Sequence, residues 1–173
     1  RLRCVYGKAR TFDVDAKGMQ EIFKEAAKHK GTSFVEIYQN CNIFNDGTFS
    51  AIYERSVRED RILRLKHGKP LIFGKEQNKG IRLNGLKSEV VDLGDGVNEN
   101  ELLVHDQYSR DRILANLLSG IDYPDFPVPM GIFRQVENST YEEKIEEQIK
   151  SQIEKKGVGN LEKLLRGNHA WTN

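Results

Sequence analysis

The sequence predicts an α/β fold that is followed by short β hairpins and helices. Three observations support this fold class: a strand–helix–strand pattern opens the chain, short β-like segments broken by glycine and asparagine follow it, and a strongly charged helical segment lies near the end. With 173 residues, the chain has the length of one ordinary domain, or of one domain with an extension.

The opening segment predicts one strand–helix–strand unit. Residues 8–14 alternate loosely and predict a strand, Asp15 is a suitable helix N-cap, and Gly31 ends the helix predicted over residues 16–28. One apolar stripe runs along this helix: Met19, Ile22, Phe23, Ala26 and Ala27. Residues 32–39 are rich in β-branched and aromatic side chains and predict a buried strand. Short links between strand, helix and strand predict parallel pairing.

The periodicity changes after this unit. Residues 41–47 are irregular and rich in asparagine, which indicates a loop at the carboxyl end of the second strand. Open α/β sheets bind their ligands at that edge. Three short β-like segments, 70–73, 80–83 and 89–93, then predict a small antiparallel hairpin set.

Helical patterns return in the second half of the chain. A helix is expected to begin at Ser109 or Asp111 and to end at Gly120, and the proline-rich residues 123–129 must be extended or turning. The apolar residues of this expected helix are Ile113, Leu114, Leu117 and Leu118.

The last helical segments are strongly charged. Ser139 and Glu142 have the spacing of a capping box, which predicts a helix over residues 139–156 that ends at Gly157. Its apolar residues recur at every fourth position: Tyr141, Ile145, Ile149 and Ile153. This narrow stripe is typical of a helix that lies on a surface, and a second short helix is expected over residues 161–165.

Composition excludes several function classes. Lys and Arg number 27 against 26 Asp and Glu, so no basic field favours a nucleic-acid or anionic-membrane partner. The apolar runs are too short to span a membrane. The two cysteines, Cys4 and Cys41, are too few for a disulfide framework. High Lys and Glu contents with few cysteines predict a location in the reducing cytoplasm.

Several segments together resemble the beta subunits of 2-oxoacid:ferredoxin oxidoreductases. The most specific is HKGTSFVEIYQNCNIFN at residues 29–45, and ARTFDVD at 9–15 resembles the strand before the last core helix of that family. Further matches occur in the same order in the family's C-terminal extension: LVHD at 103–106, DYP at 122–124, FPVPMGIFR at 126–134 and TYEE at 140–143. The length of the extension favours the 2-oxoglutarate-type clade. The chain is thus identified as the C-terminal part of such a subunit.

The resemblance implies an activity, its cofactors and its partners. The fold would be the final strand–helix–strand part of a thiamine-diphosphate-binding parallel-sheet fold. The activity would be oxidative decarboxylation of a 2-oxoacid to an acyl-coenzyme A, with electrons passed through a [4Fe–4S] cluster to ferredoxin. Thiamine diphosphate and Mg would be held by the complete enzyme, and the alpha subunit would be the protein partner.

One metal ligand carries over from the family. A cysteine in its Gln-x-Cys loop supplies the fourth thiolate of the cluster, and Cys41 has this position in Gln39-Asn40-Cys41. From the residues alone, a lone cysteine is more often an inert small apolar residue. Cys4 matches no ligand of the family.

Other motifs of the family are absent from this sequence. There is no Cys-x-x-Cys pair, and no Gly-Asp-Gly followed by Asn at the spacing that holds Mg and the diphosphate. Gly94-Asp95-Gly96 comes after the cluster loop, where the family has no such motif, and is interpreted as a tight turn. We therefore expect no catalytic or thiamine-diphosphate-binding residue in this chain, and no cofactor bound to it alone.

The histidines are the residues most suited to acid–base chemistry near neutral pH. Adjacent residues of an extended segment point apart, so a structural role is favoured for His105 and Asp106 over an acid–base pair. His29 and His67 lie among lysines and are expected to face solvent.

Two alternatives are open for the polar residues of the Cys41 loop. Asn42, Asn45 and Asp46 either line the active-site edge or brace their own turn. Arg10 is expected at most to pair with an acidic neighbour.

The division of the chain follows from the resemblance. Residues 1–48 would be the end of the thiamine-diphosphate-binding catalytic domain, and residues 49–173 the extension. The alternative function is a non-catalytic assembly module of the same complex. A stand-alone small α/β enzyme is disfavoured, because no nucleophile–base pair, metal cluster or phosphate loop is visible.

Overall fold

Two sheets organise the chain in a computed structural model that describes residues 7–94 and 96–167. Cys4 and Asp95, both considered above, lie outside the described residues. The strands are β1 (Gly7–Phe12), β2 (Ser33–Tyr38), β3 (Ile62–Arg64), β4 (Ile72–Phe73), β5 (Lys79–Asn84), β6 (Lys87–Asp92) and β7 (Val128–Gln135). The helices are α1 (Ala16–Lys28), α2 (Ser50–Tyr53), α3 (Arg58–Arg61), α4 (Ile113–Gly120), α5 (Tyr141–Lys156) and α6 (Leu161–Arg166), with a 3₁₀ turn at Glu99–Glu101.

The strand–helix–strand unit is confirmed. β1 and β2 pair in parallel, from Gly7 opposite Ser33 to Phe12 opposite Tyr38. Helix α1 connects them and begins where the sequence predicted, because the Asp15 side chain accepts a hydrogen bond of 3.0 Å from the amide of Gly18.

The prediction that the second strand is buried was wrong. β2 lies at the edge of a four-stranded sheet with the order β2-β1-β7-β3. Phe34 and Ile37 are 36% and 40% exposed. The β-branched and aromatic composition identified a strand but could not show that one of its edges is open within the described part of the chain.

The proline-rich segment leads into a strand of the main sheet. β7 runs antiparallel to β1 and parallel to β3, so it lies between them. The sequence indicated only an extended or turning segment here, since prolines hide the strand pattern. β7 lies after the domain boundary predicted at residue 48, whereas its partner β1 lies before that boundary. The boundary itself stays a prediction.

The antiparallel hairpin set is confirmed as a second, three-stranded sheet. Its strand order is β4-β5-β6, and β5 and β6 are joined by a tight turn. Across this hairpin, Arg82 donates a hydrogen bond of 2.5 Å to Glu89 on the opposite strand. Cross-strand pairs of opposite charge favour this register over a slipped one.

The largest core cluster joins both sheets to helix α4. Its members are Leu63, Leu65, Leu71, Phe73, Ile81, Leu118, Ile121 and Phe133. A second cluster lies near the carboxyl ends of β1 and β2 and contains Phe12, Ile52, Ile62, Val128 and Met130. Burial of each large apolar side chain contributes about 1.5–3 kcal/mol to stability. The two sheets are therefore parts of one packed unit.

That unit ends at Asn138, and a second compact unit begins at Ser139. The second unit contains α5 and α6, which confirms both predicted helices. The capping box was predicted one residue too early. Thr140 rather than Ser139 caps α5, and its side chain accepts a hydrogen bond from the amide of Glu143. Both pairs have the same spacing, so the sequence alone could not choose between them. In the described part of the chain, no helix has the length and apolar character needed to cross a bilayer.

Gly131 allows β7 to approach the strand beside it. Its φ is +121°, and a Cβ atom at this position would lie 3.1 Å from the carbonyl oxygen of Leu65. We expect Gly131→Ala to lower the free energy of unfolding by about 1–3 kcal/mol, because the side chain meets both backbone strain and a buried neighbour. Urea unfolding followed by circular dichroism would measure the change.

The matched control is Gly120→Ala at the end of α4. A Cβ atom at Gly120 meets nothing within 4 Å, and its φ is not in the left-handed region. This variant should be neutral or slightly stabilising, since alanine favours helix over glycine by up to about 1 kcal/mol. Equal effects of the two substitutions would contradict the role assigned to Gly131.

Candidate functional site

Cys41 lies in the loop that follows β2. Because β1 and β2 are parallel, their carboxyl ends meet at one edge of the sheet, and the loop of residues 41–47 lies at that edge. The amide of Asn45 donates a hydrogen bond of 2.9 Å to the carbonyl oxygen of Cys41, which closes the turn. The predicted loop and its position are confirmed.

The surroundings of Cys41 favour the thiolate form. The cysteine is free and half-buried. Backbone N–H groups of Phe44 and Ile43 donate to its sulfur and hold the pKa of the thiol below its usual value, against a smaller opposing effect of burial. The thiolate is both the nucleophilic form and the metal-binding form of cysteine.

The polar residues of the loop brace the turn. Asn40 donates hydrogen bonds to the side chains of Asn42, at 2.7 Å, and Asp46, at 2.9 Å. The amide of Gly47 donates in turn to the Asn40 side-chain oxygen at 2.8 Å. Asn45 closes the turn through its backbone. The bracing alternative therefore accounts for the side chains of Asn42 and Asp46. Asn40 was the member of the network that sequence reasoning missed.

Two apolar side chains project from the same turn. Ile43 is 85% exposed and Phe44 is 89% exposed. Large apolar side chains are seldom this exposed in a cluster unless they contact something else. They lie two and three residues after Cys41 in the same turn.

Cys41 can supply one ligand to a cluster, but not a complete site. Residues 7–94 and 96–167 contain no group of three or more His, Cys, Asp or Glu side chains placed to hold a metal ion. A [4Fe–4S] cluster is held by cysteine thiolates, so the other ligands would have to come from elsewhere. The donor type and its amide hydrogen bonds fit the role of a single ligand.

Asp13 lies at the same edge and was also missed. It follows β1 directly, and its amide donates a hydrogen bond of 3.1 Å to the carbonyl oxygen of Tyr38. One oxygen of its carboxylate is buried without a hydrogen-bond partner among the described residues. Its position after the last residue of a parallel strand was the signal that would have identified it.

Comparison with known proteins tests the resemblance. The chain is 33% identical over 166 residues to a protein of Mycobacterium tuberculosis named 2-oxoglutarate oxidoreductase subunit KorB. This chain is a homologue of a 2-oxoacid oxidoreductase subunit. The match covers 94% of the chain and 44% of the relative, so the chain spans less than half the length of the curated relative that it matches.

Two further comparisons gave no match. No protein-family profile matches the chain, and no solved structure matches it. The relationship to the oxidoreductase subunit therefore rests on the sequence similarity, and the fold agrees with it: a sheet that contains a parallel pair, together with a separate antiparallel hairpin sheet.

The surroundings of His105 are those of a buried structural residue. Its side chain is fully buried, and its Nε2 atom lies 2.8 Å from the carbonyl oxygen of Ile132. Burial lowers the pKa of the imidazole. Asp106 instead accepts a hydrogen bond from the amide of Tyr108 and lies 3.5 Å from His67. The preference for structural roles over an acid–base pair agrees with this geometry.

The prediction that His29 faces solvent was wrong. His29 is half-buried, and its two ring nitrogens lie 2.9 Å from the Ser33 hydroxyl and 2.9 Å from the carbonyl oxygen of Val136. The neighbouring lysines suggested exposure, but the ring turns inward at the end of α1 to meet polar groups there. His67, in contrast, is 48% exposed.

Arg10 does pair with an acidic neighbour. Its guanidinium lies 2.7 Å from the carboxylate of Glu36 on β2 and packs over the rings of Tyr38 and Phe133. The side chain is buried, so this pair serves to join β1 with β2 and β7.

Two clefts lie elsewhere on the unit that ends at Asn138. One, of about 300 Å³, is crossed by an ion pair of 3.2 Å between Arg64 and Asp15. The other has about 460 Å³. Neither is lined by Cys41 or by a pair of residues that combines a nucleophile with a base. The candidate site is therefore the Cys41 loop.

The buried imidazole of His105 predicts a pH dependence of stability. Because its pKa in the folded state lies below the usual 6.5, the unfolded state binds this proton more readily. The contribution of His105 is complete above pH 6.5 and is lost as the pH falls, by up to about 1.4 kcal/mol per pH unit. We expect His105→Gln to flatten this dependence in urea-unfolding experiments across that range.

His67→Gln is the matched control because it removes an exposed histidine. If the parent chain and His105→Gln lost stability equally steeply on acidification, the imidazole of His105 would not be the titrating group.

Proposed function

We propose that this chain is part of the beta subunit of a 2-oxoacid:ferredoxin oxidoreductase, with 2-oxoglutarate as the substrate. The complete enzyme would decarboxylate the 2-oxoacid oxidatively and transfer the acyl group to coenzyme A. The electrons would leave through a [4Fe–4S] cluster to ferredoxin. The similar protein of Mycobacterium tuberculosis is named as a subunit of a 2-oxoglutarate oxidoreductase, which supports this substrate and the presence of a further subunit.

The observation that carries the proposal is the geometry of the Cys41 loop. A thiol lies at the sheet edge where α/β folds bind ligands, and amide N–H groups face its sulfur. Hydrogen bonds of this type to cluster sulfurs are one of the means by which proteins tune iron–sulfur centres. This combination supports Cys41 as a cluster ligand rather than as an inert core residue.

The cofactors would have separate roles. Thiamine diphosphate with Mg would supply the decarboxylation chemistry, and the cluster would accept and pass on single electrons. This chain would contribute one thiolate from Cys41, a closed turn that holds it in place, and the apolar side chains beside it. The thiamine diphosphate site is assigned to the part of the subunit that this sequence does not contain.

Replacement of Cys41 tests the ligand. In the complete subunit, Cys41→Ala is expected to lose or degrade the cluster and to lower ferredoxin reduction on the order of 100-fold or more, with the fold intact. Cys41→Ser is the direct comparison, and a damaged cluster with an altered potential is expected there, because oxygen is a harder ligand than sulfur. Electron paramagnetic resonance, iron content and ferredoxin reduction are the measurements.

The control for this experiment is Cys4→Ala, which removes the other cysteine of the chain. It should keep the iron content and the spectrum of the parent enzyme. An alanine variant at Cys41 with an unchanged cluster signal and full ferredoxin reduction would show that Cys41 is not a ligand.

A second candidate function is that of an assembly module for the same complex. The observation that favours it is the exposure of α5 and α6, since neither helix contains a buried residue. Their exposed apolar residues are Tyr141, Ile149, Ile153, Leu161, Leu164 and Leu165. A charged helix with one apolar residue per turn is suited to packing on another protein surface. The alpha subunit is the proposed partner.

Charge substitutions on the apolar stripe of α5 test this function. We expect Ile145→Asp together with Ile149→Asp to weaken assembly with the alpha subunit without unfolding the α/β unit. Each aliphatic side chain contributes about 1.5–3 kcal/mol when it is buried. Size-exclusion chromatography of the complex would report assembly, and circular dichroism would report folding.

Lys144→Gln together with Lys150→Gln is the matched control, since it lowers the net charge by the same amount on the flanks of the stripe. This control should assemble normally. Unchanged assembly of the aspartate variant would make α5 a solvated appendage, and loss of the whole structure would make it part of a core.

A further inference from the structure

We propose that Asn40 is a positioning residue for the cluster ligand. Its side chain fixes the conformation of the 41–47 loop and thereby the backbone N–H groups that face the Cys41 sulfur. This inference rests on the proposed function, in which that sulfur binds a [4Fe–4S] cluster.

The Asn40 side chain ties together three points of the loop. Its amide group donates to Asn42 at 2.7 Å and to Asp46 at 2.9 Å, and its oxygen accepts from the amide of Gly47 at 2.8 Å. The two ends of the loop are thus held by one planar group that lies directly before Cys41 in sequence.

The chemistry of this network requires an amide. A carboxylate at position 40 could accept from Gly47 but has no N–H to donate to Asn42 and Asp46. It would also place a second negative charge beside Asp46. Gly47 has a φ of +73°, a conformation that glycine adopts without strain. Glycine thus lets the turn form without backbone strain while its amide donates to the Asn40 oxygen.

The sulfur depends on this conformation through the backbone. Ile43 and Phe44, whose amides donate to the Cys41 sulfur, lie between the points that Asn40 connects. Their side chains are exposed and do not hold the turn in place. If the loop loosens, these N–H groups are no longer directed at the sulfur.

A change in those hydrogen bonds has a defined effect on a cluster. Hydrogen bonds to cluster sulfurs stabilise the reduced state, which carries more negative charge, and therefore raise the reduction potential. Asn40→Ala should keep the cluster, because Cys41 is still present, but should move its potential to a more negative value.

The experiment compares variants of the complete enzyme complex. Asn40→Ala and the milder Asn42→Ala are set beside Cys41→Ala and a control, Asn116→Ala, which is the same substitution at an exposed position of α4. Potentiometric titration followed by electron paramagnetic resonance measures the cluster. Hydrogen exchange of the Ile43 and Phe44 amides, measured on the iron-free complex, measures the loop and should be about tenfold faster in Asn40→Ala.

The outcomes separate the two proposals. The inference is supported if Asn40→Ala has a lower reduction potential and faster amide exchange than the parent. Asn42→Ala should then be intermediate, and Asn116→Ala should be unchanged. If Cys41→Ala loses the cluster while Asn40→Ala keeps the parent potential and exchange rates, the role of Asn40 is overturned and the proposed function stands. If Cys41→Ala retains a normal cluster, the proposed function itself fails. If Asn40→Ala loses its cluster or its fold, Asn42→Ala decides, and its unchanged potential and exchange would overturn the inference.

Discussion

The pairing of β1 with β7 is the constraint on which the rest of the structure depends. It attaches the parallel β1–β2 unit to a strand from the distant end of the first compact unit. Arg10 reinforces this attachment, since its buried guanidinium pairs with Glu36 and packs over Phe133. A buried cation is tolerated only with such partners. The position of the Cys41 loop is therefore set by strands that are far apart in sequence.

Local patterns predicted the parts of the fold whose causes are local. Helix α1 follows from its apolar stripe and from Asp15, and the hairpin of β5 and β6 follows from short β-like segments around a turn. The position of β7 has no local cause, because its partners are chosen by packing and its prolines obscure the strand pattern. β2 was wrongly predicted to be buried for a related reason. The composition of a strand shows that its side chains are suited to burial, but it does not show whether another element covers them.

The candidate site shows the same division between local and distant causes. Cys41 was identified through a resemblance carried by consecutive residues, and the structure places it in a braced turn at the expected edge. Asn40 and Asp13 were missed because their roles depend on the direction of single hydrogen-bonding atoms. Sequence spacing gives the position of such residues but not those directions. The inward turn of His29 was missed for the same reason.

The open edge of β2 has a practical consequence for work with this polypeptide. Along Ser33–Tyr38 the outer backbone groups have no neighbouring strand among the described residues, and Phe34 and Ile37 are exposed beside them. Such an edge is a template for intermolecular strand addition. Expression of the chain without a covering partner should therefore favour insoluble material. Co-expression with a partner that covers this edge is the rational route to a soluble sample.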